Sequence, residues 1–308
     1  MINPRSFLPP LPATVNAGRV WLWPAMVAQR PCPVCAADEA EAVCRRPDGL
    51  FVVRCRACSM LYVANPPTPE ALVAFYADYA AEKNLQVGKV PRRSRLLPAA
   101  ANPYLRILKA SGGVRGFAIC EIGCSHGNFL DELRRCGAEV FGVEKDRRAL
   151  AALKQRGIAA AADFPQDRRF DAICAFELIE HLEDPADLVR PIADSLADDG
   201  RLLLGLPNGG DAERVGPGWI GYRVDLEHLS YFSIGTLSTL LNRFGLYVEN
   251  YWEWGQPMID RPTATDPSGL AGRIGKRLKS LVGIEPSLAQ GCFRLTVLAR
   301  KAGPHLPP

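Results

Sequence analysis

A chain of 308 residues is longer than one ordinary domain, which leaves room for a core domain with one or two appendages. Its 48% hydrophobic and 23% charged content is ordinary globular composition, and no apolar run approaches the roughly 18 residues of a membrane span. A net charge of +4 is too small to imply a nucleic-acid partner by itself.

Residues 1–30 carry Pro9, Pro10, Pro12 and Pro24 with Arg5 and Arg19, but no uninterrupted apolar core, so they read as a loose leader and not a signal peptide. Residues 31–66 hold Cys32, Cys35, Cys55 and Cys58 in a C-x2-C-x19-C-x2-C pattern. Two such knuckles each turn two thiolates toward one point and together fill the tetrahedral shell of a structural zinc. A pair of disulfides is the rival reading. The other six cysteines (Cys44, Cys120, Cys124, Cys136, Cys174 and Cys292) are scattered, as suits a reducing cytoplasm. Between the knuckles, Arg46-Pro47-Asp48-Gly49 predicts a turn and Leu50 to Arg54 a strand.

A helical linker is expected over 67–115. Thr68 suits an N-cap and Pro69 the first helical position, and a second helix is expected over Pro103 to Ala110. The run Glu82 to Arg115 is basic. It reads either as a solvated linker or as a contact for an anionic substrate or RNA.

The main domain is expected over 116–301. Phe117 to Glu121 predicts a strand, Ile122 to Gly127 a tight turn of small residues, Asn128 to Cys136 a helix, and Val140 to Glu144 a second strand ending on an acid. This βαβ layout suits a nucleoside: small residues let the backbone approach a ligand, and the terminal acid can accept both hydroxyls of a ribose. The turn reads E-x-G-x-S-x-G. Glu121 would repel a pyrophosphate and attract the amino group of a methionine moiety, which argues for S-adenosylmethionine rather than NAD.

Further elements follow in order. Arg147 to Arg156 predicts a helix stopped by Gly157, Ile158 to Ala162 a strand, and Phe170 to Glu177 a near-continuously apolar strand. Asp184-Pro185 opens a helix that Gly200 is expected to stop, and Arg201 to Leu206 forms the fifth strand. Gly209 to Tyr222 reads as a mobile cover carrying Trp219 and Tyr222. Ser233 caps a helix over Ile234 to Phe244, and strands follow over Leu246 to Trp254 and Cys292 to Arg300. Gly255 to Gly291 includes a basic amphipathic stretch, Leu270 to Val282, read as a lid helix or partner surface, with a peripheral membrane contact as the alternative. Residues 302–308 form a Pro-rich tail. Alternating strands and helices give an α/β, doubly wound, mostly parallel sheet with its ligand at the carboxyl ends of the strands.

With Glu121, Gly123 and Gly127 in place, the turn resembles the first motif of the class I S-adenosylmethionine-dependent methyltransferases, acid-x-Gly-x-Gly-x-Gly; Ser125 departs from it at the middle glycine. The resemblance implies a seven-stranded Rossmann-like sheet. It implies that Glu121 and the Gly123–Gly127 backbone, Ser125 included, hold the methionine end of the cofactor and Glu144 the ribose. Asp163 and Phe164 would flank the adenine, with Phe176 at the end of its strand also on the cofactor side. Leu178 to Pro185 resembles the family's fourth motif. His181 within it is either a general base for the acceptor or a local hydrogen-bonding residue that shapes the pocket. Asp225 to Ser233 also matches, in a stretch that often forms a lid, which makes Tyr222, Glu227 and His228 further acceptor-site candidates. The cysteine module resembles the zinc-ribbon leaders of a group of bacterial methyltransferases, so the likeness covers about Pro31 to Lys301. It implies a methyltransferase with a small-molecule or glycan acceptor. An RNA methyltransferase and a non-catalytic cofactor-binding scaffold are the alternatives.

Overall fold

The structure, a computed structural model, describes residues 23–76, 102–219, 221–224, 226–254 and 293–301. Most of the leader, the basic run up to Ala101, the amphipathic Leu270 to Val282 stretch, Asp225, Cys292 and the tail lie outside the described residues.

The central sheet has seven strands in the order β10-β11-β8-β7-β4-β5-β6. Strands β4 (Ala118–Ile122), β5 (Glu139–Val143), β6 (Ala159–Ala161), β7 (Phe170–Phe176) and β8 (Leu196–Pro207) run parallel. An antiparallel pair, β10 (Leu246–Trp254) and β11 (Arg294–Lys301), completes the edge. From β4 the chain winds outward through β5 and β6, then returns to β7 and β8 on the other side. The reversal between β4 and β7 is the switch point at which doubly wound sheets bind ligands.

Helices join these strands through local caps. Asn102 Oδ1 accepts the Tyr104 N–H at 3.0 Å at the start of α2 (Pro103–Ala110), which buries Leu105 and Leu108. Helix α3 (Asn128–Arg135) leads from the predicted turn into β5, and Asp146 caps α4 (Arg147–Gln155). Asp184 Oδ1 accepts the Ala186 N–H at 2.9 Å where α5 (Ala186–Ser195) begins. That helix ends at Ser195, not at Gly200. Leu196 is 1% exposed and already pairs with Phe170, and Gly200 sits inside β8 where the register skips. Burial of Leu196 in the sheet therefore overrides the glycine stop.

The ribbon is a hairpin, β1 (Ala40–Arg45) and β2 (Phe51–Cys55), turned at Arg46 to Gly49 as predicted, followed by β3 (Leu61–Val63). A helix, α1 (69–76), starts where Thr68 Oγ1 accepts the Ala71 N–H at 3.4 Å. The ribbon sheet takes its fourth strand from the main domain: β9 (Ser230–Tyr231) pairs with β3, placing Leu61 opposite Tyr231. Trp219 and Tyr222, expected in a mobile cover, are both 0% exposed. They pack at 5.1 Å on each other and, with Tyr231, against Leu50, Val52 and Leu61 of the ribbon. Burying side chains of this size contributes roughly 1.5–3 kcal/mol each. The stretch between α6 (Gly209–Val215) and β9, with α7 (Gly221–Val224) inside it, thus packs on the ribbon sheet, while a second cluster that holds Val53 and Tyr62 of the ribbon with Ile173 and Leu204 of the central sheet joins the two sheets.

Among the described residues no helix is long and apolar enough to cross a membrane.

Candidate active site

A cleft of about 1410 Å³ opens at the carboxyl ends of β4, β5 and β7, with Gly123, Glu144, Glu177 and His181 in its wall. Tyr76 of α1, Glu227, His228 and Arg294 complete its far side.

The turn after β4 is built on left-handed residues. Gly127 has φ +65°, and a Cβ there would stand 2.4 Å from Leu153 Cδ2, so a side chain would strain the backbone and displace the buried Leu153. Ser125 has φ +47°, a region that costs a non-glycine residue of order 1–3 kcal/mol. Its N–H donates to Glu144 Oε2 at 2.7 Å, and Glu144 Oε1 accepts the Asp146 N–H at 2.9 Å. The serine therefore preserves the turn. A carboxylate offers about four acceptor positions, so two remain on Glu144 for hydroxyl donors from a ligand.

Glu121 is not in the cleft wall. It is 7% exposed behind the turn. Burial first, then Glu132 and Glu144, push its carboxyl up to about 8. Its Oε2 is buried with no hydrogen-bond partner among the described residues. Asp163 is exposed and pairs with Lys145 Nζ at 2.7 Å, and Phe164 lies edge-on to Phe170 at 6.1 Å. Phe176 stacks on Tyr104 with ring centroids 4.1 Å apart and meets Phe129 at 5.3 Å, which puts it in the packing of α2 and α3 on the sheet.

The far side of the cleft gathers more than the sequence indicated. Glu177 adopts φ +49° at the end of β7 and pairs with Arg294 of β11. Burial raises its carboxyl, and Arg294 opposes the shift. His181 Nδ1 lies 3.2 Å from the Tyr76 hydroxyl. The His181 and His228 rings meet edge to face at 4.6 Å, and the Nε2 atoms of both stand 3.9 Å from Glu180 Oε1. Burial first, then His181 and Arg46, hold the His228 pKa well below the ordinary imidazole value, so His228 is neutral.

Two arginines fix the backbone around this group. Arg46 is 0% exposed. It pairs with Asp48 at 2.6 Å, donates to His228 O at 2.6 Å and to the Tyr231 hydroxyl at 2.9 Å, and also reaches Leu226 O. Trp23 Nε1 donates to the same Asp48 at 2.9 Å. Arg30 donates to Val63 O and Leu229 O, each at 2.9 Å, and to Glu183 O. In the sequence Arg46 and Asp48 read only as turn residues; the buried Arg46 guanidinium answers to carbonyls far along the chain.

The four ribbon cysteines converge. Sγ of Cys32 and Cys58 lie 3.5 Å apart, as do those of Cys35 and Cys55, and all four sulfurs fall within 4.8 Å of one another. A disulfide needs about 2.05 Å. Thiolates about 2.3 Å from a tetrahedral zinc stand roughly 3.8 Å from one another, so these sulfurs fit a zinc shell.

A family model described as "Methyltransferase domain" matches residues 82–251. A ubiquinone biosynthesis O-methyltransferase of Alkalilimnicola ehrlichii is 29% identical over 115 residues, which cover 33% of this chain and 46% of the relative. The protein of that name from Escherichia coli is 24% identical over 135 residues, 40% of this chain and 54% of the relative. The chain spans about half the length of the curated relatives it matches. Among solved structures, an S-adenosylmethionine-dependent methyltransferase from Mesorhizobium loti is similar at 20% identity with a TM-score of 0.46, over 66% of this chain and 100% of that one.

Proposed function

This chain belongs to the class I S-adenosylmethionine-dependent methyltransferases, and from that premise we propose that it transfers the sulfonium methyl group to a hydroxyl of a small-molecule or glycan acceptor. The observation that carries the reading is Glu144. Its carboxylate stands at the end of β5, in the cleft wall, bound to the Ser125 N–H of the glycine turn and with acceptor positions to spare. A ribose with two adjacent hydroxyls is the ligand such a carboxylate suits.

The Gly123–Gly127 backbone would hold the methionine end. Glu121 would stand behind it, where a ligand ammonium favours the ionised carboxylate over the proton that burial otherwise imposes. Asp163 and Phe164 would flank the adenine at the open rim. The acceptor would then occupy the part of the cleft bounded by Tyr76, Glu177, His181, His228, Glu227 and Arg294. An O-linked product is favoured because the curated relatives are named O-methyltransferases.

A sulfonium methyl is already activated, so the protein has two tasks: to align the acceptor in line with the carbon–sulfur bond and to keep water out. The acceptor oxygen forms the new bond to the methyl carbon, the carbon–sulfur pair leaves on sulfur, and the hydroxyl proton is given up. The Glu180, His181 and His228 group is the part of the cleft suited to easing that proton's departure. The four ribbon cysteines would hold one structural zinc, with no position open for chemistry.

Calorimetry tests the donor site. S-adenosylmethionine should bind the purified chain, and Glu144→Ala should weaken it by more than about tenfold, the scale of one lost bidentate contact. No binding, or binding that the substitution leaves unchanged, would refute this function.

A further inference from the structure

We propose that Glu180, His181 and His228 form a second metal site, separate from the four cysteines, which holds a divalent cation at the acceptor end of the cleft. As an account of what the acceptor meets it rests on the methyl-transfer reading; as a metal site it does not.

Two imidazole nitrogens each stand 3.9 Å from one Glu180 carboxylate oxygen, and one ligand atom from each of the three residues lies within 4.8 Å of the others. Those imidazole–carboxylate separations are too long for hydrogen bonds. Three atoms within 4.8 Å of one another surround a point no more than about 2.8 Å from each, at the edge of the range of oxygen and nitrogen bonds to divalent ions, roughly 2.0–2.6 Å. The other ring nitrogen of His228, Nδ1, is buried with no hydrogen-bond partner among the described residues, in a side chain 6% exposed.

The surroundings agree. Glu180 is 1% exposed behind the two rings and His228 is 5% exposed, so both ligand groups are screened from water. The backbone is fixed on both sides. Arg46 holds His228 O at 2.6 Å, and the Leu229 N–H donates to Glu180 O at 2.8 Å, so Glu180 and His228, 48 apart in sequence, keep a set geometry. Two histidines and one carboxylate suit borderline ions such as Mn²⁺, Fe²⁺ or Zn²⁺, and they leave coordination positions open. Both histidines line the cleft, so the open positions face the acceptor.

A hydroxyl bound there would lose its proton to solvent more readily. Its oxygen lone pair would then form the bond to the methyl carbon as the carbon–sulfur pair leaves on sulfur. No oxidant or reductant is needed.

The test uses the full chain with its ribbon metal in place and Mn²⁺ as the probe, free Mn²⁺ being read by electron paramagnetic resonance without donor or acceptor. One Mn²⁺ per chain should bind. Glu180→Gln and His228→Gln should each weaken it more than tenfold, whereas Asp199→Asn, at the far end of β8, should not. Absence of saturable binding at millimolar Mn²⁺, or equal binding in the first two variants, overturns the proposal. Thermal melts report whether the variants fold. If they do not, the absorption spectrum of the Co²⁺-loaded native chain decides. A d–d band of nitrogen and oxygen ligation beside the thiolate charge-transfer bands supports the site, and thiolate bands alone refute it. Calorimetry with S-adenosylmethionine separates the two readings, since Mn²⁺ binding without donor binding would leave the metal site standing and the methyl-transfer reading fallen.

Discussion

The carboxylate of Glu144 and the backbone N–H of Ser125 meet at 2.7 Å, so the acid that ends the second parallel strand also closes the turn that follows the first. In the proposed function one residue would thus serve both turn geometry and ligand recognition, and the two roles would separate by substitution. Ser125→Gly removes the cost of φ +47° but adds chain entropy to the unfolded state. Stability should stay within about 1 kcal/mol of the native chain, with donor affinity unchanged. Ser125→Val, β-branched at a left-handed position, should lower both. Thermal melts and calorimetry read the two effects; equal behaviour of the two variants would refute this account of the turn.

Glu121 should make stability depend on pH. Its carboxyl is raised from the ordinary 4.5 to about 8, chiefly by burial. The folded chain therefore keeps a proton that the unfolded chain releases, and this residue lowers stability as pH climbs from 4.5 to about 8. In Glu121→Gln that penalty is gone. The melting temperature of the variant relative to the native chain should rise across this window and level off above it, and parallel curves would count against the buried-carboxyl assignment. Donor affinity of the native chain should rise over the same window as the carboxylate forms.

Arg46→Met should be severely destabilising, by roughly 3–5 kcal/mol, because it strands the buried charge of Asp48 and several carbonyls. Arg46→Lys should not rescue it, since a single ammonium cannot reproduce a guanidinium fork that serves Asp48, His228 O and Tyr231 together. Chemical denaturation measures both, and a lysine variant of native stability would defeat this explanation.

Metal analysis should find zinc at the ribbon, and Cys58→Ser should release it. Because β3 pairs with β9, the loss should be felt in the main domain: amide exchange at Ser230 and Tyr231 should accelerate along with that at Tyr62 and Leu61. Faster exchange confined to the knuckles would show that the two sheets are energetically separate.

Much of this organisation was legible because it is local. The turn from Ile122 to Gly127, the caps at Thr68 and Ser233, the Arg46 to Gly49 hairpin and the four cysteines are all written within a few residues of where they act. The contacts that complete the site are not. His228 meets His181 only because the Leu229 N–H docks on Glu180 O, and Arg46 reaches Leu226 O across most of the chain. No periodicity or spacing reports such pairings. Trp219 and Tyr222 misled for a related reason: their glycine-rich neighbourhood reads as loop, whereas burial against a distant strand decides their role. Phe176 lies on a strand that leads to the cleft, yet Tyr104 claims its ring.

The pairing of Leu61 with Tyr231 also sets an order of events during synthesis. The ribbon hairpin leaves the ribosome early, but its fourth strand is not made until Tyr231 has emerged, an interval of roughly ten to thirty seconds at usual elongation rates. Until then β3 is an open edge with unpaired N–H and C=O groups, the kind of surface on which nascent chains stick to one another. Early capture of zinc by the two knuckles would keep the hairpin in shape while it waits for its partner, which makes metal supply during translation a determinant of yield as well as of stability.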